Sequence, residues 1–163
     1  MSGVQLSVRE AGEPDLPAIA ELLADAVSAV SSERGGAVFV LREGSSAPDT
    51  RKLGQWLSDP AVCLGVGDVD DVTLGVVMCR LEALGDGSRL ARLEWMWVDP
   101  GARELGLGAE LMDLVVGWAG ERGATRLDAH ALPGNREAKN FLEQAGFSAR
   151  LIVLHRRLED RGS

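Results

Sequence analysis

Between residues 61 and 98 three apolar, strand-patterned runs, AVCLGVGD, VTLGVVMCRLEAL and SRLARLEWMWV, are separated only by the acidic stretch Asp68 to Asp71 and by Gly85-Asp86-Gly87. Connections this short join antiparallel neighbours, because a parallel return needs a dozen or more residues. An antiparallel meander therefore belongs at the centre of the fold. The pattern changes directly after WMWV. Leu111, Val115, Trp118 and Ala119 recur at helical spacing, with Glu110, Asp113 and Glu121 on the opposite side and Gly123 closing the run. TRLDAHAL (125–132) follows as a strand, so strand, helix and strand make a right-handed parallel crossover.

The flanks are less uniform. QLSVRE (5–10) alternates as a first strand, and EPDLPAIAELLADAV (13–27) predicts a helix that buries Leu16, Ile19, Leu23 and Ala26. The periodicity weakens from Ser28 to Ser46, where GAVFVLRE is compatible with either a strand or a helix. DTRKLGQWLSD predicts a short helix stopped by Pro60. Near the C-terminus Asn135 is suited to an N-cap, with Ala138, Phe141, Leu142 and Ala145 as the buried stripe. Gly146 suits the left-handed position after the helix, letting Phe147 fold back on Leu142, and ARLIVLHRRL predicts a final strand. The chain has 163 residues without repeats, low-complexity tracts or a linker. The expectation is a single α/β domain spanning 1–163, with one mixed, mostly antiparallel sheet and helices on both faces.

Charge and composition exclude several classes of function. A net charge of −8 argues against nucleic acid as a partner, since phosphate contacts need clustered Lys and Arg, and here Arg156, Arg157 and Arg161 form only a short basic tail. No apolar run approaches the length of a membrane span, and MSGVQLSVREAGEPDL lacks both the basic start and the apolar core of a signal peptide. A cytoplasmic protein with no membrane partner is expected. Cys63 and Cys79 lie in apolar runs without metal-ligand spacing and read as buried thiols, and His130 and His155 have no ligand partner, so no metal is expected.

The stretch DPGARELGLGAEL (99–111) carries the chemistry. A dinucleotide fingerprint needs GxGxxG directly after a strand, but Leu111 stands at the third glycine position and seven residues separate Val98 from Gly106. A P-loop would match Gly101 and Gly106 by spacing, but its phosphate-gripping Lys and Ser or Thr are replaced by Leu107 and Gly108. The segment instead resembles the acyl-CoA signature of the GNAT superfamily of N-acetyltransferases, V-x-P-x-x-[R/Q]-x-x-G-x-[G/A], through Val98, Pro100, Arg103, Gly106 and Gly108. A second family pattern, N-x-x-A-x-x-[F/L]-Y-x-x-x-G-F, is similar to NREAKNFLEQAGF through Asn135, Ala138, Phe141, Gly146 and Phe147. The likeness covers nearly the whole chain in order.

The resemblance implies a sheet whose parallel pair splays apart, and attack of an amine on the thioester of acetyl-CoA. It places pantetheine on the backbone of Met96, Trp97 and Val98, and the pyrophosphate on the turn Arg103, Glu104, Leu105, Gly106, Leu107, Gly108 and Ala109, where free N–H groups and a helix dipole favour an anion. Asn135 would contact CoA as well as cap its helix. Glu94 is the candidate base. Simple alternation sets it with Met96 and Val98 on one face and Leu93, Trp95 and Trp97 on the other, and the alternative role is a salt bridge to Arg92 or Arg80. His130 is a second candidate base or substrate ligand, against a half-buried structural role. The family's acidic Tyr is replaced by Leu142, and the chain contains no tyrosine. Three readings therefore stand: departure of the thiolate without an acid, water or another side chain in the place of the acid, and acyl-CoA binding without turnover. By resemblance the amine acceptor is shaped by residues 25–60 and 80–90. Trp56, Trp95, Trp97 and Phe39 are candidates for an apolar lining, and Glu82, Glu94 and Asp128 for attracting a cation. The chain is expected as a monomer or a homodimer.

Overall fold

The computed structural model describes residues 3–42 and 47–159. The elements run β1 (Leu6–Glu10), α1 (Leu16–Ser31), α2 (Gly36–Arg42), α3 (Thr50–Ser58), β2 (Val62–Val69), β3 (Val72–Ala83), β4 (Arg89–Val98), α4 (Leu107–Glu121), β5 (Ala124–Ala129) and α5 (Arg136–Gln144). The open segment 28–46 resolves into the end of α1 and the helix α2, with residues 43–46 outside the described ones.

The five strands stand in the order β1-β2-β3-β4-β5. The first three pairings are antiparallel and β4–β5 is parallel. The β2–β3 hairpin is tighter than the acidic stretch suggested. Only Asp70 and Asp71 separate the strands, both at positive φ (48° and 65°), the geometry that matches strand twist. The crossover through α4 is as expected, and Gly123 ends α4 at φ 80°.

Two apolar layers flank the sheet. Under α4 lie Val77, Cys79, Ala91, Leu93 and Val98 with Leu107, Leu111 and Val115. On the other face α1 and α3 bring Ile19, Leu23 and Leu53 against Val66, Val76, Met78 and Trp95. The α4 layer is closely fitted. A Cβ on Gly67 would lie 2.7 Å from Leu107 Cδ1, so the bare backbone there lets the first residue of α4 seat directly on the sheet.

Two expectations at the C-terminal end are corrected. Ala145 is exposed, and α5 has no fully buried residue: Ala138, Phe141 and Leu142 are only partly covered. The helix caps itself as its sequence predicts, with Phe147 N–H donating to Leu142 O at 3.0 Å and Gly146 at φ 95°. ARLIVLHRRL does not form a strand; residues 150–159 lie exposed without secondary structure. A run of branched apolar residues alone does not make a strand, since ladder partners and a surface to cover complete it.

Candidate active site

The site arises where β4 and β5 part. Their ladder runs from Arg89 beside Ala124 to Leu93 beside Ala129, and β5 stops there. β4 continues through Val98, so the β5 side of Glu94 to Val98 carries no strand. This is the expected splay. On that side the outward backbone groups of Met96 and the Val98 N–H have no strand partner beside the turn that follows, while Trp97 turns its own toward β3 and Val98 O accepts from Arg103.

The turn is built from its own residues. Asp99 accepts from Gly101 N–H at 2.9 Å and leads a 3-10 turn over Pro100–Leu105. Gly106 then sits at φ 87°, ψ 7°, a left-handed geometry that starts α4 at Leu107. Among the described residues no acceptor meets the N–H groups of Gly106, Leu107, Gly108 or Ala109; the first closure of the helix is Glu110 N–H to Gly106 O at 3.3 Å. Free donors with a positive dipole end suit an anionic group. Glu104, Leu105 and Ala109 are exposed around them. Leu107 differs: its side chain is fully buried in the core, so only its N–H faces the turn.

Arg103 lies at the turn, but its guanidinium points back. Nε donates to Val98 O at 3.0 Å, Cζ lies over the Trp97 ring 4.7 Å from its centroid, and Nη1 stands 3.6 Å from Glu137 of α5. Its cation ties strand, turn and last helix together. The Trp97 Nε1–H is buried with no acceptor among the described residues.

Glu94 occupies a place that alternation alone does not predict. Met78 pairs with Trp95 and Cys79 with Leu93, so Glu94 is the extra residue of a β-bulge. Past the bulge the faces exchange. Leu93, Met96 and Val98 join the layer under α4, and Trp95 and Trp97 the layer under α1 and α3. Glu94 Oε1 accepts from Arg80 Nε at 3.2 Å, and Arg80 shares its face of β3 with Met78. The carboxylate therefore stands on the α1 side, a quarter exposed, rather than with Met96 and Val98.

The other acidic candidates are also neutralised. Glu82 stands 3.6 Å from Arg92, and Arg150 forks onto Asp128, holding that carboxyl below its usual range. Glu82, Glu94 and Asp128 each have an arginine partner, so none of the three is a bare anion awaiting a cationic amine.

Asn135 is doubly engaged. Its Oδ1 accepts from Ala138 N–H at 2.9 Å as the N-cap of α5, while Nδ2 donates to Glu33 at 3.2 Å. Glu33, in the connection between α1 and α2, was not singled out in the sequence; its segment shows no periodicity that would mark it. The same segment brings Phe39 of α2 against His130, ring centroids 5.9 Å apart, and edge-on to Trp95 at 6.4 Å. His130 is exposed just beyond β5 rather than half-buried. Phe39, Trp56 and Trp97 pack on the layer that contains Trp95. Leu142, where the family's Tyr would stand, packs on the α4 layer.

A mixed sheet whose one parallel pair opens beside a glycine turn at a helix N-terminus defines an acyltransferase of the GNAT type. The sequence model of the Acetyltransferase (GNAT) family matches residues 27–147, and the chain belongs to that family. No curated protein matches it in sequence. Among solved structures it is similar to an aminoglycoside acetyltransferase from an uncultured soil metagenomic sample (20% identity, 94% of this chain and 95% of that one, TM-score 0.72). It is also similar to an aminoglycoside N-acetyltransferase in complex with CoA (17% identity, 96% and 97%, TM-score 0.75). A third is a ribosomal-protein-alanine N-acetyltransferase from Brucella melitensis (20% identity, 96% and 100%, TM-score 0.67). At these identities the likeness is one of fold. Among the described residues no helix is long and apolar enough to cross a membrane.

Proposed function

We propose that this protein, as one domain, transfers an acetyl group from acetyl-CoA to a primary amine of a small molecule or peptide, by direct attack on the thioester. The observation that carries the reading is the run Glu94 to Val98, with no strand on its β5 side, leading straight into the free N–H groups at the start of α4. The strand-free β5 side of Met96, Trp97 and Val98 suits the pantetheine amides, and a donor there would polarise the carbonyl as charge develops on it. The turn from Arg103 to Ala109 suits the pyrophosphate, its N–H groups and Gly106 rather than the Arg103 side chain making the cradle. Asn135 borders this site and would have to exchange Glu33 for the ligand.

The nucleophile is the amine nitrogen, whose lost proton passes to Glu94 through water while Arg80 orients the carboxylate. As the carbon–sulfur bond breaks, the thiolate takes a proton from solvent; a thiol of pKa about 8.5 needs little help to leave. Phe39, Trp95 and His130 would border the acceptor. A cytoplasmic enzyme without a metal fits this chemistry. The chain's lack of tyrosine and the Arg80 hold on Glu94 favour one competing reading, an acyl-CoA-binding module without turnover.

Thiol release from acetyl-CoA, followed with a thiol-reactive dye across a panel of amines, separates the two. The native thiols do not interfere, since Cys63 and Cys79 are fully buried and burial pushes both up to about 12. Amine-dependent release is expected, with Glu94→Gln slowing it roughly 10²-fold or more. An unchanged rate in Glu94→Gln removes the base. CoA binding without release for any amine establishes the module instead.

A further inference from the structure

β4 and β5 part after Leu93 and Ala129, and aromatic side chains gather just beyond that point. Trp95 is the second residue past the last pair on β4, and His130 is the first past it after β5. Phe39 of α2 reaches both, edge-on to Trp95 at 6.4 Å and tilted 58° to the His130 ring at 5.9 Å. That reach is set by the backbone. A Cβ on Gly36 would lie 1.7 Å from Val30 O and 3.5 Å from Leu132, so α2 starts hard against the end of α1 and the segment after β5. Glu33 ties the same two segments through Asn135 at 3.2 Å. About one turn past Gly36, Phe39 is carried over the opening between the strands.

The helix that spans this opening is apolar and thinly covered. α2 reads GAVFVLR, yet Gly36 is its only buried residue: Phe39 and Val40 are half-buried, and Val38 and Leu41 are exposed. Trp95 behind Phe39 is buried, and His130 is exposed. The wall at the acceptor end of the splay is therefore aromatic, and it is continuous with the proposed site. Its carboxylates are already engaged. Glu94 and Asp59 share Arg80 at 3.2 and 3.6 Å, Glu82 stands 3.6 Å from Arg92, Asp128 accepts from Arg150 at 2.8 Å, and Glu33 accepts from the Asn135 amide. A second ammonium on the acceptor would give up water for a carboxylate that already has a donor, and would gain little. The net charge of −8 acts from the surface and is screened beyond about 8 Å at physiological salt.

We propose that Phe39, Trp95 and His130 form a subsite for the ring of an aryl-alkyl monoamine, a primary amine on a short arm from one aromatic ring. The subsite rests on the acetyl-transfer reading for the fate of that amine. Glu94 directly precedes Trp95 in β4 and stands on the same α1 side, so an amine whose ring rests on Phe39 lies on the side of the carboxylate that takes its proton. The new nitrogen–carbon bond replaces the carbon–sulfur bond of the thioester. The amine proton leaves toward Glu94 and the thiolate is protonated from solvent, giving an N-acetyl arylalkylamine and CoA.

Thiol release from acetyl-CoA is measured with 2-phenylethylamine, 2-cyclohexylethylamine, n-butylamine, spermidine and kanamycin. The highest kcat/KM is expected for 2-phenylethylamine, about tenfold or more above the two polycations and about 2- to 10-fold above its cyclohexyl counterpart, the range an aromatic pair adds beyond its area. Phe39→Leu keeps an apolar side chain on α2 and should lower the kcat/KM ratio of 2-phenylethylamine to n-butylamine by about 2- to 10-fold. A merely structural loss would lower both amines alike and leave that ratio unmoved. Binding is read apart from turnover. With CoA bound, 2-phenylethylamine should change the tryptophan fluorescence saturably, and Phe39→Ala should weaken that titration about tenfold. Saturable binding without release from any amine removes the acetyl-transfer reading and leaves the subsite standing. Release fastest with spermidine or kanamycin, a cyclohexyl probe as good as the phenyl one, or an unchanged ratio in Phe39→Leu overturns the subsite and leaves acetyl transfer standing. A 2-phenylethylamine titration that never saturates overturns the subsite as well.

Discussion

Gly67→Ala tests whether the start of α4 owes its position to a bare strand backbone. The added Cβ would lie 2.7, 2.9 and 3.1 Å from Leu107 Cδ1, Cγ and Cδ2, where carbon pairs are comfortable only beyond about 3.5 Å. Leu107 is fully buried, so its side chain has no open space to rotate into, and a Cβ on Gly75 of the neighbouring strand would lie 3.0 Å from its Cδ2. Overpacking of this kind costs about 1–3 kcal/mol, offset by about 0.4–1 kcal/mol because Ala restricts the unfolded chain. A net loss of roughly 1–2 kcal/mol is expected, a fall in Tm of roughly 2–8 °C for a chain of this size. Leu107→Ala alone should destabilise by about 2–5 kcal/mol through the cavity it leaves. In that background Gly67→Ala has nothing to strike and should be neutral or slightly stabilising, giving a coupling of about 1–2 kcal/mol in a urea-denaturation cycle. Because the strain is delivered to the first residue of α4, the thermal shift produced by CoA should shrink in Gly67→Ala as well. Equal losses from Gly67→Ala in both backgrounds would refute the reasoning.

Gly106→Ala tests the left-handed turn: a Cβ there meets nothing within 4 Å, so the loss is conformational, about 1–2 kcal/mol in thermal denaturation, and Gly106→Asn should lose less. Glu33→Gln keeps an oxygen for the Asn135 amide but removes a negative charge beside a side chain proposed to contact CoA, so KM for acetyl-CoA should fall while kcat stays within about two-fold; an unchanged KM places the Glu33 contact outside the binding step. Arg9 forks onto Asp15 at 2.7 and 2.8 Å, and with the Gly12 N–H it holds that carboxyl below its usual range. The folded value is the lower one, so the stabilisation is present above the unfolded pKa of about 3.9 and is lost as pH falls through the depressed folded value. Asp15→Asn should therefore destabilise at pH 7 and approach the wild-type chain only as pH falls below the depressed folded value, as urea midpoints across the range would report.

Much of the site could be read in one dimension because local chemistry decides it. The short turns dictate the meander, the spacing of Leu111, Val115 and Trp118 dictates the crossover helix, and Gly106 and Asn135 mark a turn and a cap wherever they occur. The family patterns around Val98 and Asn135 lie in these same segments. The side of the sheet on which Glu94 stands could not be read, because a bulge depends on how many residues the partner strand offers, and Arg80 is its partner only across the β3–β4 register. Nor could the contacts of Glu33 and Phe39, which come from a segment without periodicity and meet Asn135 and His130 about a hundred residues away. The same division holds at the C-terminus. The branched apolar run in ARLIVLHRRL expresses a preference for extended backbone, which is local; whether that preference becomes a strand rests on ladder partners and a surface to cover, and residues 150–159 lie exposed without either.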